Sequence, residues 1–209
     1  MNLLVVTAVE AEAKAVRAGA DHDLVMVEPV GAGPAAAAAG TARLLALAEA
    51  AGRPFRAVLS AGIAGGFAGR AGIGATVIGV RSIAADLGAE SGDGFLPIES
   101  LGFGSSVRAA DNGLVEMLTA ALPHAVTGDV LTLATVTGTA QTAARLADAH
   151  PAAVAEAMEG FGVACAAAAA GVPFAELRTV SNVIGPRDRS AWRLADAFAA
   201  LTAAAKSLT

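Results

Sequence analysis

What most constrains this chain is a repeated alternation: short apolar runs, each followed by a helical stretch rich in small residues. Leu3 to Ala8 is the first such run, and its Val5 and Val6 are β-branched. A strand buried on both faces of a parallel sheet has this composition. VEAEAKAVRAG follows as a helix that ends near Gly19. Leu24–Val30, Ala57–Ala61, Gly74–Arg81 and Asp129–Ala134 read as further strands. Helices are expected after Pro34, over Asp111–Leu122, over Ala140–Ala149, from Pro151 onward, and over Ser190–Lys206. This order predicts an α/β fold, three layers α/β/α around a mixed central β-sheet. With 209 residues and no linker or internal repeat, residues 1–209 read as one domain.

The bulk properties exclude several classes. Hydrophobic residues make up 55% of the chain, so a large core is available, and much of it is Ala, which lets helices approach the sheet closely. The net charge is -5, Lys14 and Lys206 are the only lysines, and no basic stripe exists. Nucleic acid is therefore not an expected partner. The single cysteine, Cys165, cannot form an internal disulfide; it reads as a small buried apolar residue in a cytoplasmic protein. The apolar stretch Phe161–Phe174 falls short of the ~20 residues of a membrane span, and the N-terminus lacks a signal-peptide pattern. His22, His124 and His150 are scattered without metal-ligand spacing, and no P-loop or Ser-His-Asp set can be assembled. No metal and no cofactor is expected.

The chemistry-bearing residues gather at strand ends, where α/β sheets bind ligands. ELRTVSNVIGPRDRSAWR (Glu176–Arg193) runs from a buried strand into a polar loop with Ser181, Asn182, Arg187, Asp188 and Arg189. The plainer alternative is a solvated first helical turn. Glu10 and Glu12 fall in the first turn after the first strand; dipole capping explains one carboxylate well and two less well. Gly31, Gly33 and Ala36 match a dinucleotide-binding pattern, but the ribose-binding acid is missing, since Glu49 lies inside the same helix. A tight turn is the better reading, with Pro34 at the first helical position. The glycines of Gly62–Phe67 follow the third strand and either present N–H groups to a ligand or form a flexible turn. Asp86–Pro97 reads as an irregular functional or interface loop. Met158 and Glu159 interrupt an apolar helix, and a buried carboxylate there needs a partner.

Four pieces together resemble the nucleoside phosphorylase/nucleosidase superfamily: Val9-Glu10-Ala11-Glu12, Gly62–Phe67, Ala157-Met158-Glu159 and Arg178-Thr179-Val180-Ser181-Asn182. Ala85–Pro97 and Ser181–Arg193 resemble the futalosine hydrolase family in particular. The resemblance implies a nucleoside phosphorylase-like fold and hydrolysis of an N-glycosidic bond, with release of hypoxanthine in menaquinone biosynthesis. It makes Glu12 the water-activating base and sets Arg178 near the attacking water. Met158 and Glu159 would pack under the ribose and hold its hydroxyls. Ile63, Ala64 and Gly65 would line the site, and the backbone at Gln141 and Thr142 would read the base. It also implies a homo-oligomer, with Phe95–Phe103 lining a neighbour's pocket.

Asn182 stands where adenine-releasing relatives carry Asp. A neutral amide can donate to O6 or N7 of a 6-oxopurine, which a carboxylate would repel. Two carboxylates near the first strand tip disfavour phosphate and favour water. A benzoate-type substrate tail would suit Arg187 or Arg189, with Trp192 or Phe95 as an aromatic wall. The alternatives are a nucleosidase or phosphorylase for inosine or for methylthioadenosine/S-adenosylhomocysteine, and a non-catalytic nucleoside-binding domain.

Overall fold

The computed structural model describes residues 3–92 and 94–208. Asp93, inside the expected Asp86–Pro97 loop, lies outside the described residues. The elements run β1 (Leu3–Thr7), α1 (Glu10–Arg17), β2 (Val25–Pro29), α2 (Pro34–Ala50), β3 (Ala57–Gly66) and β4 (Thr76–Ala84). They continue with β5 (Gly88–Ser91), β6 (Gly94–Pro97), β7 (Val107–Ala109), α3 (Asn112–Ala121), β8 (Val126–Thr132) and α4 (Ala140–Ala149). The chain closes with β9 (Ala153–Ala157), α5 (Gly160–Ala169), β10 (Phe174–Val183) and α6 (Leu194–Ala205).

The sheet is mixed. β1 pairs parallel with β2 and β3, and β3 pairs parallel with β10. β10 and β4 are antiparallel, β4 and β8 parallel, β8 and β9 parallel, and β9 returns antiparallel to the end of β3. Strands β3, β10, β4, β8 and β9 therefore close into a ring, while β1 and β2 extend outward from β3 as an open sheet.

Period-two alternation distributes the core. Val5 faces one side with Ala13 and Val16 of α1, Leu118 of α3 and Leu201 of α6. Leu4 and Val6 face the other, with Ala37 and Leu45 of α2 and Val163 and Ala167 of α5. These are the expected helical layers. Among the described residues no helix is long and apolar enough to cross a membrane.

Four segments differ from expectation. The helix expected from Pro151 is strand β9, followed by the separate helix α5. Ala153–Ala157 has helix-favouring composition, but pairing on both sides with β8 and β3 overrides propensity. The glycines from Gly62 to Gly66 are not a turn: β3 continues through them, paired with β10. The irregular region contains an ordered hairpin, β5–β6. The last helix begins at Leu194, so Trp192 sits in the turn before it. Cys165 is half-buried.

Candidate active site

Glu12 is the third residue of α1, so its side chain reaches back over the helix start. Its Oε2 accepts from the backbone N–H of Ala8 at 2.9 Å and of Val9 at 3.3 Å. Its Oε1 accepts from the Ile63 N–H at 2.9 Å. The carboxylate is thus pinned between the α1 N-terminus and β3. Burial pushes its pKa above the usual carboxylate value, against the opposing pull of Arg178 and the Ile63 N–H.

Arg178 on β10 is 1% exposed and gathers the charged centre. Its Nε donates to Glu176 at 2.8 Å, its Nη2 to Ser60 Oγ at 3.0 Å, and its Nη1 to Glu159 at 3.4 Å. Burial opposes the guanidinium charge, but Glu176, Glu159 and Glu12 together raise its pKa, so it stays a cation. Glu176 also accepts from the Ser82 hydroxyl, and burial pushes its carboxyl upward. One buried cation therefore faces three buried carboxyl groups.

Glu159 precedes α5 and is held from several directions. Its Oε1 accepts from the Gly33 N–H at 3.1 Å, and its Oε2 from the Met158 N–H at 3.3 Å and from Arg178. The Gly31–Gly33 turn is as tight as expected, with φ of 103° and 88° at its two glycines. What the turn contributes is a backbone donor for Glu159.

A second group lies further along β3. Gly65, Val136, Thr137, Glu156, Asn182, Ile184, Arg187 and Trp192 are among the residues around a narrow cavity of about 70 Å³. Ile63 and Gly65 are two residues apart, roughly 7 Å along a strand, so the carboxylate centre and this cavity are neighbours on the scale of a nucleoside. A register shift in the β10–β3 pairing leaves Ser181 as an extra residue between Val180 and Asn182. Such bulges re-aim side chains. The Ser181 hydroxyl lies 2.8 Å from Asn182 Oδ1 and 3.3 Å from the Ala64 carbonyl. Asn182 Nδ2 donates to the Val183 carbonyl at 3.1 Å. With Oδ1 accepting from Ser181 and one Nδ2 proton given to Val183, the amide keeps a second Nδ2 proton, and Asn182 borders the cavity.

Other expected residues fall further out. Gln141 and Thr142 form the first turn of α4, where the Thr142 N–H is taken by the Thr139 hydroxyl cap at 3.1 Å. Neither is among the residues around the cavity. Arg187 and Arg189 are exposed, with guanidinium carbons 5.4 and 5.8 Å from the Trp192 ring centre. Asp188 bonds Ser190 instead, and among the described residues neither arginine forms an ion pair. A groove of about 650 Å³ along β2 and α2 contains none of these groups.

Sequence reasoning missed Glu176, Ser60, Ser82, Glu156 and Thr137. Glu176 had a readable signal: it alternates with Leu177 and Arg178 in a buried strand, so acid and base share one face. The serines and Glu156 depend on register between distant strands.

Residues 8–209 match the phosphorylase superfamily, and the chain belongs to it. It is 55% identical over 178 residues to the futalosine hydrolase of Streptomyces coelicolor, covering 85% of this chain and 75% of that protein. It is 47% identical over 224 residues to the futalosine hydrolase of Acidothermus cellulolyticus, covering 96% and 90%. Within the superfamily it belongs to the futalosine hydrolase family, as the Ala85–Pro97 and Ser181–Arg193 segments led one to expect. Among solved structures, futalosine hydrolase of Helicobacter pylori superposes with a TM-score of 0.82 at 16% identity, over 100% of this chain and 97% of that one. A methylthioadenosine/S-adenosylhomocysteine nucleosidase of Colwellia psychrerythraea, solved with adenine, gives 0.83 at 21%, over 100% and 94%. These two likenesses establish the nucleosidase-like fold.

Proposed function

We propose that this chain hydrolyses the N-glycosidic bond of futalosine, releasing hypoxanthine and dehypoxanthinyl futalosine in menaquinone biosynthesis. The observation that carries water over phosphate as the attacking group is the charge count at the centre. One guanidinium, Arg178, is already shared among Glu176, Glu159 and Glu12. Phosphate needs spare cations and N–H donors. Here the Ala8, Val9 and Ile63 N–H groups are all taken by Glu12.

The bond from C1′ to the base stretches first, and positive charge develops on the ribose. An electron-rich centre stabilises that charge and needs no reorganisation to do so. Glu159 accepts from the ribose hydroxyls. Glu12 removes a proton as water adds to C1′. Arg178 is a positioning residue: its Nη1 donates to Glu159, and its charge keeps the like-charged carboxylates together. Asn182 donates a hydrogen bond to the departing 6-oxopurine, which leaves as an anion and takes its proton from solvent, while the proton on Glu12 returns to solvent. Arg187 and Trp192 border the cavity beside Asn182. Arg187 and Arg189 meet the carboxylate tail.

The enzyme works as a single-domain, cytoplasmic homo-oligomer. Exposed Phe95, Leu96 and Phe103 support a subunit contact through the hairpin region, Phe103 being 79% exposed.

Chromatography of base released from futalosine, inosine and methylthioadenosine, each with and without phosphate, tests the reading. Phosphate-independent hypoxanthine from futalosine is expected. Release that requires phosphate would overturn it.

A further inference from the structure

Asn182, Gly65 and Glu156 stand in one row across three adjacent strands. Asn182 on β10 is in register with Gly65 on β3, and Gly65 with Glu156 on β9. Residues in register project to the same face, and these three border one cavity. The middle position has no side chain. A Cβ there would come within 2.8 Å of Ile184 and 3.5 Å of Asn182 Nδ2. The cavity lies over this row, with the Ile184 side chain packed against the bare Gly65 backbone, an amide on one side and a carboxylate on the other. Its walls are two strand spacings apart, roughly 10 Å between backbones.

The carboxylate is oriented. One oxygen of Glu156 accepts from the Thr137 N–H at 2.7 Å, the other from the Thr137 hydroxyl at 2.5 Å. The Thr137 N–H can only donate, so the oxygen it meets is held as an acceptor, and the hydroxyl donates to the other. Each oxygen retains a second lone-pair position. Burial works against the charge, pushing the Glu156 pKa upward, and the Thr137 donors oppose that push. A buried carboxylate fixed by Thr137 and bordering the same cavity as Asn182 has acceptor capacity for a ligand donor.

We propose that Glu156 determines base specificity by accepting the N1–H of a 6-oxopurine, while Asn182 donates to its O6 or N7. This rests on the nucleosidase reading of the site. The two walls then match the donor and acceptor order along that purine edge. A 6-aminopurine has an unprotonated N1, which would set a lone pair against the carboxylate and leave a buried acceptor unmatched.

Calorimetric binding of free bases tests this independently of turnover. Wild type is expected to bind hypoxanthine at least about tenfold more tightly than adenine or 1-methylhypoxanthine, in which a methyl group replaces the N1 proton. Glu156→Gln should shrink both margins by about tenfold or more. Equal wild-type binding of hypoxanthine and its 1-methyl form overturns the proposal without any variant. So does a Glu156→Gln protein that weakens for all three bases alike, which is what a merely structural Glu156 would do. If these margins hold but futalosine is not cleaved, the substrate assignment fails and the part played by Glu156 stands.

Discussion

Glu12 and Arg178 converge on the space above Gly62. A Cβ at that glycine would lie 2.5 Å from Glu12 Oε1 and 2.9 Å from Arg178 Nη1. The absence of a side chain at position 62 lets the proposed base and the buried cation sit this close. Gly62→Ala should therefore displace Glu12 while leaving β3 paired. Its kcat is expected to fall about 10²-fold or more, with little change in far-UV circular dichroism. Near-normal turnover would show that the carboxylate tolerates displacement.

Glu12→Gln keeps the shape and removes the proton acceptor. Single-turnover base release should slow by about 10² to 10⁴, with substrate binding nearly unchanged. Activity close to wild type would remove Glu12 from the mechanism.

The pH profile follows from the same residue. Burial raises the Glu12 pKa above 4.5, and a base works only when deprotonated. As pH falls through that raised value, kcat/KM of the free enzyme should fall, so the acidic limb lies above the ordinary glutamate range. Glu12→Gln should lose this limb in its residual activity. An unchanged limb in that variant would assign the titration to another group.

Arg178 is the counter-ion for three carboxyl groups. Arg178→Met leaves them buried without it, an effect of about 3–5 kcal/mol when a buried pair is broken. Denaturant unfolding should show a loss of that order at neutral pH. A loss below about 1 kcal/mol would mean that the carboxyls are already neutral in the fold.

Arg187 and Arg189 both lie over the Trp192 ring, and Arg187 and Trp192 border the cavity. The double variant Arg187→Ala, Arg189→Ala should raise KM for futalosine about tenfold or more and leave cleavage of a tailless 6-oxopurine nucleoside unaltered. Equal effects on both substrates would mean that these arginines shape the loop and do not read the tail.

Much of this centre was legible in the chain. Glu12 stood in a first helical turn beside a strand tip, Glu159 was a carboxylate in need of a partner, and Arg178 and Asn182 marked a strand running into a polar loop. The partners were less legible. Glu156 was assigned to a helix, where it would have been one more surface acid. Only pairing with β8 on one side and Gly65 on the other makes its segment a strand and sets it opposite Asn182. Ser82 reaches Glu176 and Ser60 reaches Arg178 through sheet register alone. No local pattern encodes contacts of that kind.

The sheet changes character along β3, from an open parallel array beside β1 to a closed ring beside β9 and β10. Glu12 belongs to the open half, Asn182 and Glu156 to the ring, and Glu159 is tied back to Gly33 across 126 residues of chain. Folding of such a site is dominated by loop closure. The first half of the chain can form strand and helix while holding none of the later groups. Catalytic competence should then appear only when β10 docks between β3 and β4, so a nascent or truncated chain lacking that last strand would hold Glu12 without its counter-ion.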